Sequence, residues 1–215
     1  MPANIDFVQV LVTFVVLLFS LTVHETAHAW TADRLGDTTA RMLGRISLNP
    51  AVHVDFIGTI VFPLVALIGN VPVLGWAKPV PVNIGRLGGN WKRKYMLIAA
   101  AGPASNLVLA VIAALVLRLL PAALLEPTAE AALAPVELFL RVAVYLNVLL
   151  AVFNMVPVPP LDGGNVLSGL LHGAAAHAYD RLRPYGFVIL YGLMFSGALA
   201  TIISPPAQAL LYWLL

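Results

Sequence analysis

The sequence has no cysteine. No disulfide framework, thiol nucleophile or cysteine-ligated metal is therefore available to it. Charge is nearly as scarce. Asp, Glu, Lys and Arg make up 10% of the 215 residues and hydrophobic residues 60%, where an ordinary soluble domain carries about 25% and 45–50%. That balance argues against a water-soluble enzyme, and it excludes intrinsic disorder because the apolar content is high and the net charge only +2. Twelve basic residues against ten acidic ones leave too small an excess for a nucleic-acid surface. No Lys or Arg precedes Arg34, whereas a signal peptide would open with basic residues, so the first apolar run reads as a retained helix. What the sequence does have is hydrophobic run after hydrophobic run. The expectation is an all-α polytopic membrane protein of about five to six transmembrane helices, forming a single membrane-embedded domain over residues 1–215.

The runs can be placed one by one. The first extends from Ile5 to Trp30, and Arg34, Arg41 and Arg45 follow it closely. The excess of basic residues on cytoplasmic loops puts that end inside and the N-terminus outside. Phe56 to Asn70 is apolar but short, with Pro63 and two glycines, the length of a re-entrant segment rather than a comfortable span. Val71 to Val82 reads as extended because Pro72, Gly75, Pro79 and Pro81 oppose a helix. A re-entrant or extended membrane-associated segment near residues 56–90 is thus expected. Lys92-Arg93-Lys94, the densest basic cluster, stands directly before the apolar run Tyr95–Leu120 and starts it on the cytoplasmic side. Val136–Val156 then runs inward, Pro184–Ile203 reads as a further span, and Ala207–Leu215 as a short apolar tail. By this parity, the C-terminal ends of the first helix and of the 136–156 helix meet on the cytoplasmic face.

At the first of those ends stands His24-Glu25-Thr26-Ala27-His28, an H-E-x-x-H pattern. On a helix, positions i and i+4 share a face. Both imidazoles can then bind one metal, with Glu25 beside them to take a proton from water. Chance would produce the pattern in about two of a thousand sequences of this composition. Counting about 1.5 Å per residue from Asp6 puts His24 roughly 27 Å along the helix, just inside the boundary of a 30 Å apolar core. Ionisable residues at that depth are costly and mark function. A catalytic zinc takes a third protein ligand, for which Asp55, Asp162, His53, His172 and His177 are candidates. Asp162 stands out. It follows the inward-running helix in Asn154-Met-Val-Pro-Val-Pro-Pro-Leu-Asp162-Gly163-Gly164, and the two glycines let the backbone turn sharply.

These residues resemble the site-2 protease family of intramembrane zinc metalloproteases, peptidase family M50. The resemblance rests on HETAH with Asn154-x-x-Pro157-x-x-x-Leu161-Asp162-Gly163, on Gly102-Pro103-x-x-Asn106, on Gly44-Arg45-x-Ser47-Leu48-Asn49-Pro50-x-x-His53-x-Asp55, and on Ala77-Lys78-Pro79-Val80-Pro81-Val82-Asn83. It covers nearly the whole chain. Members with PDZ or CBS domains need inserts of many tens of residues, and no loop here is long enough, so the compact form is the one resembled. The resemblance implies one catalytic Zn2+ held by His24, His28 and Asp162, Glu25 as catalytic base, and Asn154 contacting substrate or helping to stabilise the oxyanion. It implies a transmembrane protein as substrate, the lipid bilayer as surroundings, and an active site facing the cytoplasm in a bacterial or archaeal membrane. His53, Asp55 and Asn106 are candidates for a supporting role behind the ligands, although Asp55 also suits a helix cap and Asn106 suits packing beside Pro103. Of Asn147 and Asn154, seven residues apart on one helix face, one is expected to hold helices together. Lys78 reads as a snorkelling side chain, and His172 and His177 as surface residues.

Two other classes fit part of this pattern. A metal- or proton-coupled transporter also keeps ionisable residues at depth, but transporters usually show paired internal repeats, and none is present. A catalytically silent metal-binding scaffold has no need of Glu25. A peptide bond within a helix is hidden in internal hydrogen bonds, so a substrate has to unwind, and the Val71–Val82 stretch offers an edge on which an extended chain can add as a strand. Proline at Leu74, Trp76 or Val80 should therefore lower cleavage of a transmembrane substrate, and unchanged cleavage in all three variants would dismiss the strand idea.

Overall fold

A computed structural model describes residues 7–61, 65, 77–120 and 127–215, and among them every regular element is helical. The long helices are α1 (Phe7–Arg34), α4 (Trp91–Leu119) and α5 (Pro127–Asn154); α2 (Thr39–Met42) and α3 (Ile84–Leu87) are single turns between them. After α5 come α6 (Asp162–Leu170), α7 (Gly173–Asp180), α8 (Gly186–Phe195) and α9 (Ala198–Leu214). α1, α4 and α5 pack on one another, and α6 packs against α4.

The long helices bury small residues and expose large ones. Ala29, Ala32, Ala99, Ala110, Ala113, Ala114, Ala143 and Ala151 are buried, whereas Phe14, Phe19, Val111, Ile112 and Leu115 are exposed. In lipid no hydrophobic effect drives helices together. Small side chains let the backbones approach closely and gain dispersion contacts, while large ones meet the acyl chains. Hydrogen bonds between helices add only about 0.6 kcal/mol each on average, so close packing does most of the holding. Val16, Val144 and Val148 fill the centre of this contact.

The ends are set by local chemistry. α1 stops at Gly36, whose φ of 111° suits glycine, and Arg34 in the last turn complements the helix dipole. Asp37 then accepts from the Thr39 amide and hydroxyl and from the Asn83 amide at 2.6 Å, joining this loop to the start of α3. Burial pushes its carboxyl up, but these bonds and Arg86 outweigh it and hold the group below the usual range. Lys94 at the start of α4 donates to the carbonyls of Leu35 and Leu87. The C-terminal end of α1 and the basic start of α4 therefore lie together, as the charge pattern requires.

Three helices are long and apolar enough to cross a membrane, Phe7–Arg34, Trp91–Leu119 and Leu133–Asn154, and a fourth if the bent pair Gly173–Phe195 and Ala198–Leu214 counts as one. Among the described residues the expected count of five to six is not confirmed. The run read as one span over Pro184–Ile203 is broken. Gly197, with φ of 77°, separates α8 from α9, and the two segments meet at 78°. Residues 56–61 form a wide helical turn, while 62–64 and 66–70 of the expected re-entrant segment lie outside the described residues. Residues 71–76 of the expected extended stretch also lie outside them, and 77–83 have no regular structure.

Glycines keep the loop before Asp162 in place. A Cβ on Gly163 would stand 2.2 Å from the Met155 carbonyl oxygen, and one on Gly186 2.4 Å from that of Pro159. Overpacking of this kind costs about 1–3 kcal/mol, so Gly186→Ala should lower the thermal unfolding temperature of the detergent-solubilised protein. Gly192→Ala, where no atom stands within 4 Å of the new Cβ, should raise stability by up to about 1 kcal/mol in the same measurement.

Candidate metal centre

His24 and His28 lie on one face of α1, one turn apart, and both are buried. Asp162 is the first residue of α6. The preceding turn, closed by bonds from Leu161 N to Val158 O and from Gly164 N to Leu161 O, carries the chain from the end of α5 to this point. The carboxylate oxygen Oδ2 of Asp162 lies 3.1 Å from His24 Nε2 and 3.4 Å from His28 Nε2. The two Nε2 atoms are 3.1 Å apart.

The opposite ring nitrogens decide what these atoms are. His28 Nδ1 is 2.6 Å from the Ile98 carbonyl oxygen, which can only accept, so Nδ1 carries a hydrogen and, in the neutral ring that can bind a metal, Nε2 carries the lone pair. His24 Nδ1 is 2.7 Å from Asn106 Oδ1 and donates in the same way. With both rings neutral, two lone pairs and a carboxylate face one another. Such a set is repulsive unless a cation stands between them. A nitrogen, nitrogen, oxygen donor set is what a catalytic zinc takes, and bonds of about 2.0–2.1 Å in tetrahedral geometry space ligands about 3.3–3.4 Å apart. The residues fit a zinc ion.

The centre opens into a cleft of about 540 Å³. Glu25 lines it, half-buried, with no hydrogen bond or ion pair among the described residues. Asn154 lines it too; its amide nitrogen donates to the Leu150 carbonyl at 3.0 Å, leaving a second N–H available. Pro79, Val80 and Val82 of the irregular 77–83 stretch line it as well.

Residues 121–197, which contain Asn154 and Asp162, match the sequence signature of Peptidase family M50. The chain is also 35% identical over 195 residues to YwhC of Bacillus subtilis, a protein provisionally named a zinc metalloprotease, across 91% of this chain and 85% of that one. The chain belongs to peptidase family M50. Two mycobacterial proteins, both named Rip2 and provisionally zinc metalloproteases, are also similar to this M50 protease. The one from Mycolicibacterium smegmatis is 32% identical over 185 residues, covering 85% of this chain and 66% of its own. The one from Mycobacterium tuberculosis H37Rv is 28% identical over 201 residues, covering 92% and 70%. No solved structure matches the chain significantly.

The other sequence candidates fall in different places. Asn106 reaches a histidine of the centre, as described. His53 is buried but bonds through Nε2 to the Ser47 carbonyl at 2.8 Å and stands 3.4 Å from the Thr26 hydroxyl. It touches α1 between the two histidines, not at either of them. Asp55 accepts from the Gly58 amide at 2.7 Å and caps the turn at residues 56–61. His172 and His177 are exposed.

Two residues of this M50 site carry more than their sequence suggested. Arg45 is buried and donates to the carbonyls of Lys78 and Pro79, while the Lys78 amide donates to the His53 carbonyl at 2.8 Å. The GRISLNPAVH segment therefore anchors one wall of the cleft. Gly102 is the other. A Cβ there would stand 2.4 Å from His28 Nε2 and 2.6 Å from His24 Nε2, so only a hydrogen fits between α4 and the two rings. The available signal was the i, i+4 spacing of Gly102 and Asn106, which puts both on one face of α4. Gly102→Ala should displace both imidazoles and weaken zinc binding by about 10- to 100-fold, as measured by metal titration of the stripped protein.

Proposed function

We propose that this multi-pass membrane protein is an intramembrane zinc endopeptidase that hydrolyses peptide bonds within or near transmembrane segments of other membrane proteins. The observation that carries the reading is the convergence of His24, His28 and Asp162 inside a bundle of apolar helices, at a cleft that Glu25 also lines. The bonds from Lys94 to Leu35 and Leu87 bring the basic residues after α1 and before α4 to one end of the bundle. The charge rule makes that end cytoplasmic and supports an active site facing the cytoplasm.

His24, His28 and Asp162 hold the ion. When bound, zinc supplies the Lewis acidity that polarises a peptide carbonyl and lets water lose its proton near neutral pH. Glu25, with no hydrogen bond or salt bridge among the described residues, can accept that proton. The oxygen adds to the peptide carbon, and protonated Glu25 then gives its proton to the leaving nitrogen, so that the C–N bond breaks to a carboxyl and an amine. Asn154 offers its remaining N–H to the negative charge that develops on the carbonyl oxygen. A helical substrate exposes no peptide bond to attack. The backbone of residues 77–83, tied back by Arg45 and His53, offers a place where an unwound segment can lie extended.

Zinc binding does not need Glu25, whereas proton transfer does. Glu25→Gln, reconstituted in vesicles with a single-span substrate, should keep its zinc content and lose about 10²- to 10⁴-fold in cleavage rate. Equal cleavage by wild type and variant, or no cleavage by a zinc-loaded wild type across transmembrane substrates, would overturn the reading.

A further inference from the structure

Asn106 and Asn147 are 0% and 2% exposed, and they stand in a line of side chains that crosses all three long helices. From the centre outward, His24 Nδ1 meets Asn106 Oδ1 at 2.7 Å. Asn106 Nδ2 donates to Asn147 Oδ1 at 2.9 Å and to the Ser20 carbonyl at 3.4 Å. Asn147 Nδ2 donates to the Ser20 hydroxyl and to the Ala143 carbonyl, both at 2.9 Å. Both hydrogens of each amide nitrogen and each amide oxygen are used.

The orientation of every group in the line follows from its far end. The Ala143 carbonyl can only accept, so Asn147 must turn its nitrogen toward it and its oxygen toward Asn106. Asn106 must then turn its nitrogen toward Asn147, which the Ser20 carbonyl also demands, and its oxygen toward His24. His24 must in turn carry its hydrogen on Nδ1, which leaves Nε2 bare and facing Asp162. We infer that Asn147 is a positioning residue of the metal centre. It fixes the tautomer of His24 through Asn106, using a backbone carbonyl of α5 as the reference. This inference rests on the metalloprotease reading of the site. Without Asn147, the long 3.4 Å bond to the Ser20 carbonyl is what is left to oppose a 180° rotation of the Asn106 amide, and the rotated amide gains population. It would then present its nitrogen to His24, favour hydrogen on Nε2, and remove a ligand lone pair.

The test is Co2+ titration of the metal-stripped full chain in detergent, followed by visible absorption, together with the melting temperature of the metal-free protein. Asn147→Leu removes the orienting groups at similar volume. Asn147→Asp, whose carboxyl is kept neutral by burial, retains one acceptor for Asn106 and one donor for Ala143. Val148→Ala perturbs the packing of the same buried stretch without touching the line. Asn147→Leu should weaken Co2+ binding at least about tenfold and shift the absorption bands, with Asn147→Asp within about threefold of wild type. The ¹⁵N spectrum of histidine-labelled, metal-free protein should show hydrogen on His24 Nδ1 in wild type and a mixture of tautomers in Asn147→Leu. Wild-type affinity and spectrum in Asn147→Leu would overturn the inference. So would losses of affinity in Asn147→Leu and Val148→Ala that merely track their losses of melting temperature. A His24→Ala control separates the two readings: if it binds Co2+ as wild type does, the metal centre itself is misassigned and this inference falls with it.

Discussion

With both rings neutral, as metal binding requires, two imidazole lone pairs and a carboxylate are held face to face within 3.4 Å, an arrangement that would spread apart if the groups were free to turn. Much of the architecture can be understood as preventing that. The Ile98 carbonyl and the Asn106 amide hold the outer edges of the rings. Gly102 lets α4 close against their inner edges. On the other side, the turn before Asp162 is packed so tightly against Met155 and Pro159 that glycine is required at 163 and 186. Each of these contacts restricts a rotation that would otherwise relieve the repulsion. The strain is compatible with folding because packing of small residues between α1, α4 and α5 supplies the attraction elsewhere.

The division of labour between helices follows from the membrane. Where solvent is apolar, backbone polar groups are satisfied within each helix, and side-chain polarity becomes expensive enough to be placed only where it acts. Buried polar residues of the bundle, Ser20, Asn106 and Asn147 with the two histidines, belong to one connected set. The cleft beside them is lined on one wall by irregular backbone, which an apolar medium tolerates only where protein or water covers it. Arg45 covers two of those carbonyls through its Nη2.

Much of the centre was legible in the sequence because polarity is so rare in it. HETAH was conspicuous against its apolar surroundings, and Asp162 was the acidic residue that topology carried to the same face. Asn106 was visible as a candidate support behind the ligands and Gly102 as its neighbour on one face, but not which histidine they meet, since spacing says which residues share a face and not what that face meets. The path of the C-terminal segment was harder to read. Hydropathy reports the solvent a segment prefers, and a straight span and two helices meeting at 78° around Gly197 prefer the same one. His53 and Asp55 were drawn toward the metal by their chemistry. Satisfying a carbonyl and capping a turn are equally good uses of those groups, and tertiary contacts alone distinguish them.

The anchoring of residues 77–80 has a consequence for how this protein can diversify. Arg45 and the His53 carbonyl grip that segment through the backbone of Lys78 and Pro79, and the Val82 side chain packs against the cluster of Ala32, Leu87 and Ile98. Val80, which faces the cleft, can be exchanged without loosening those backbone bonds. Selectivity can thus drift between lineages while the chemistry beneath it stays still, much as a lathe accepts new jaws on an unchanged spindle.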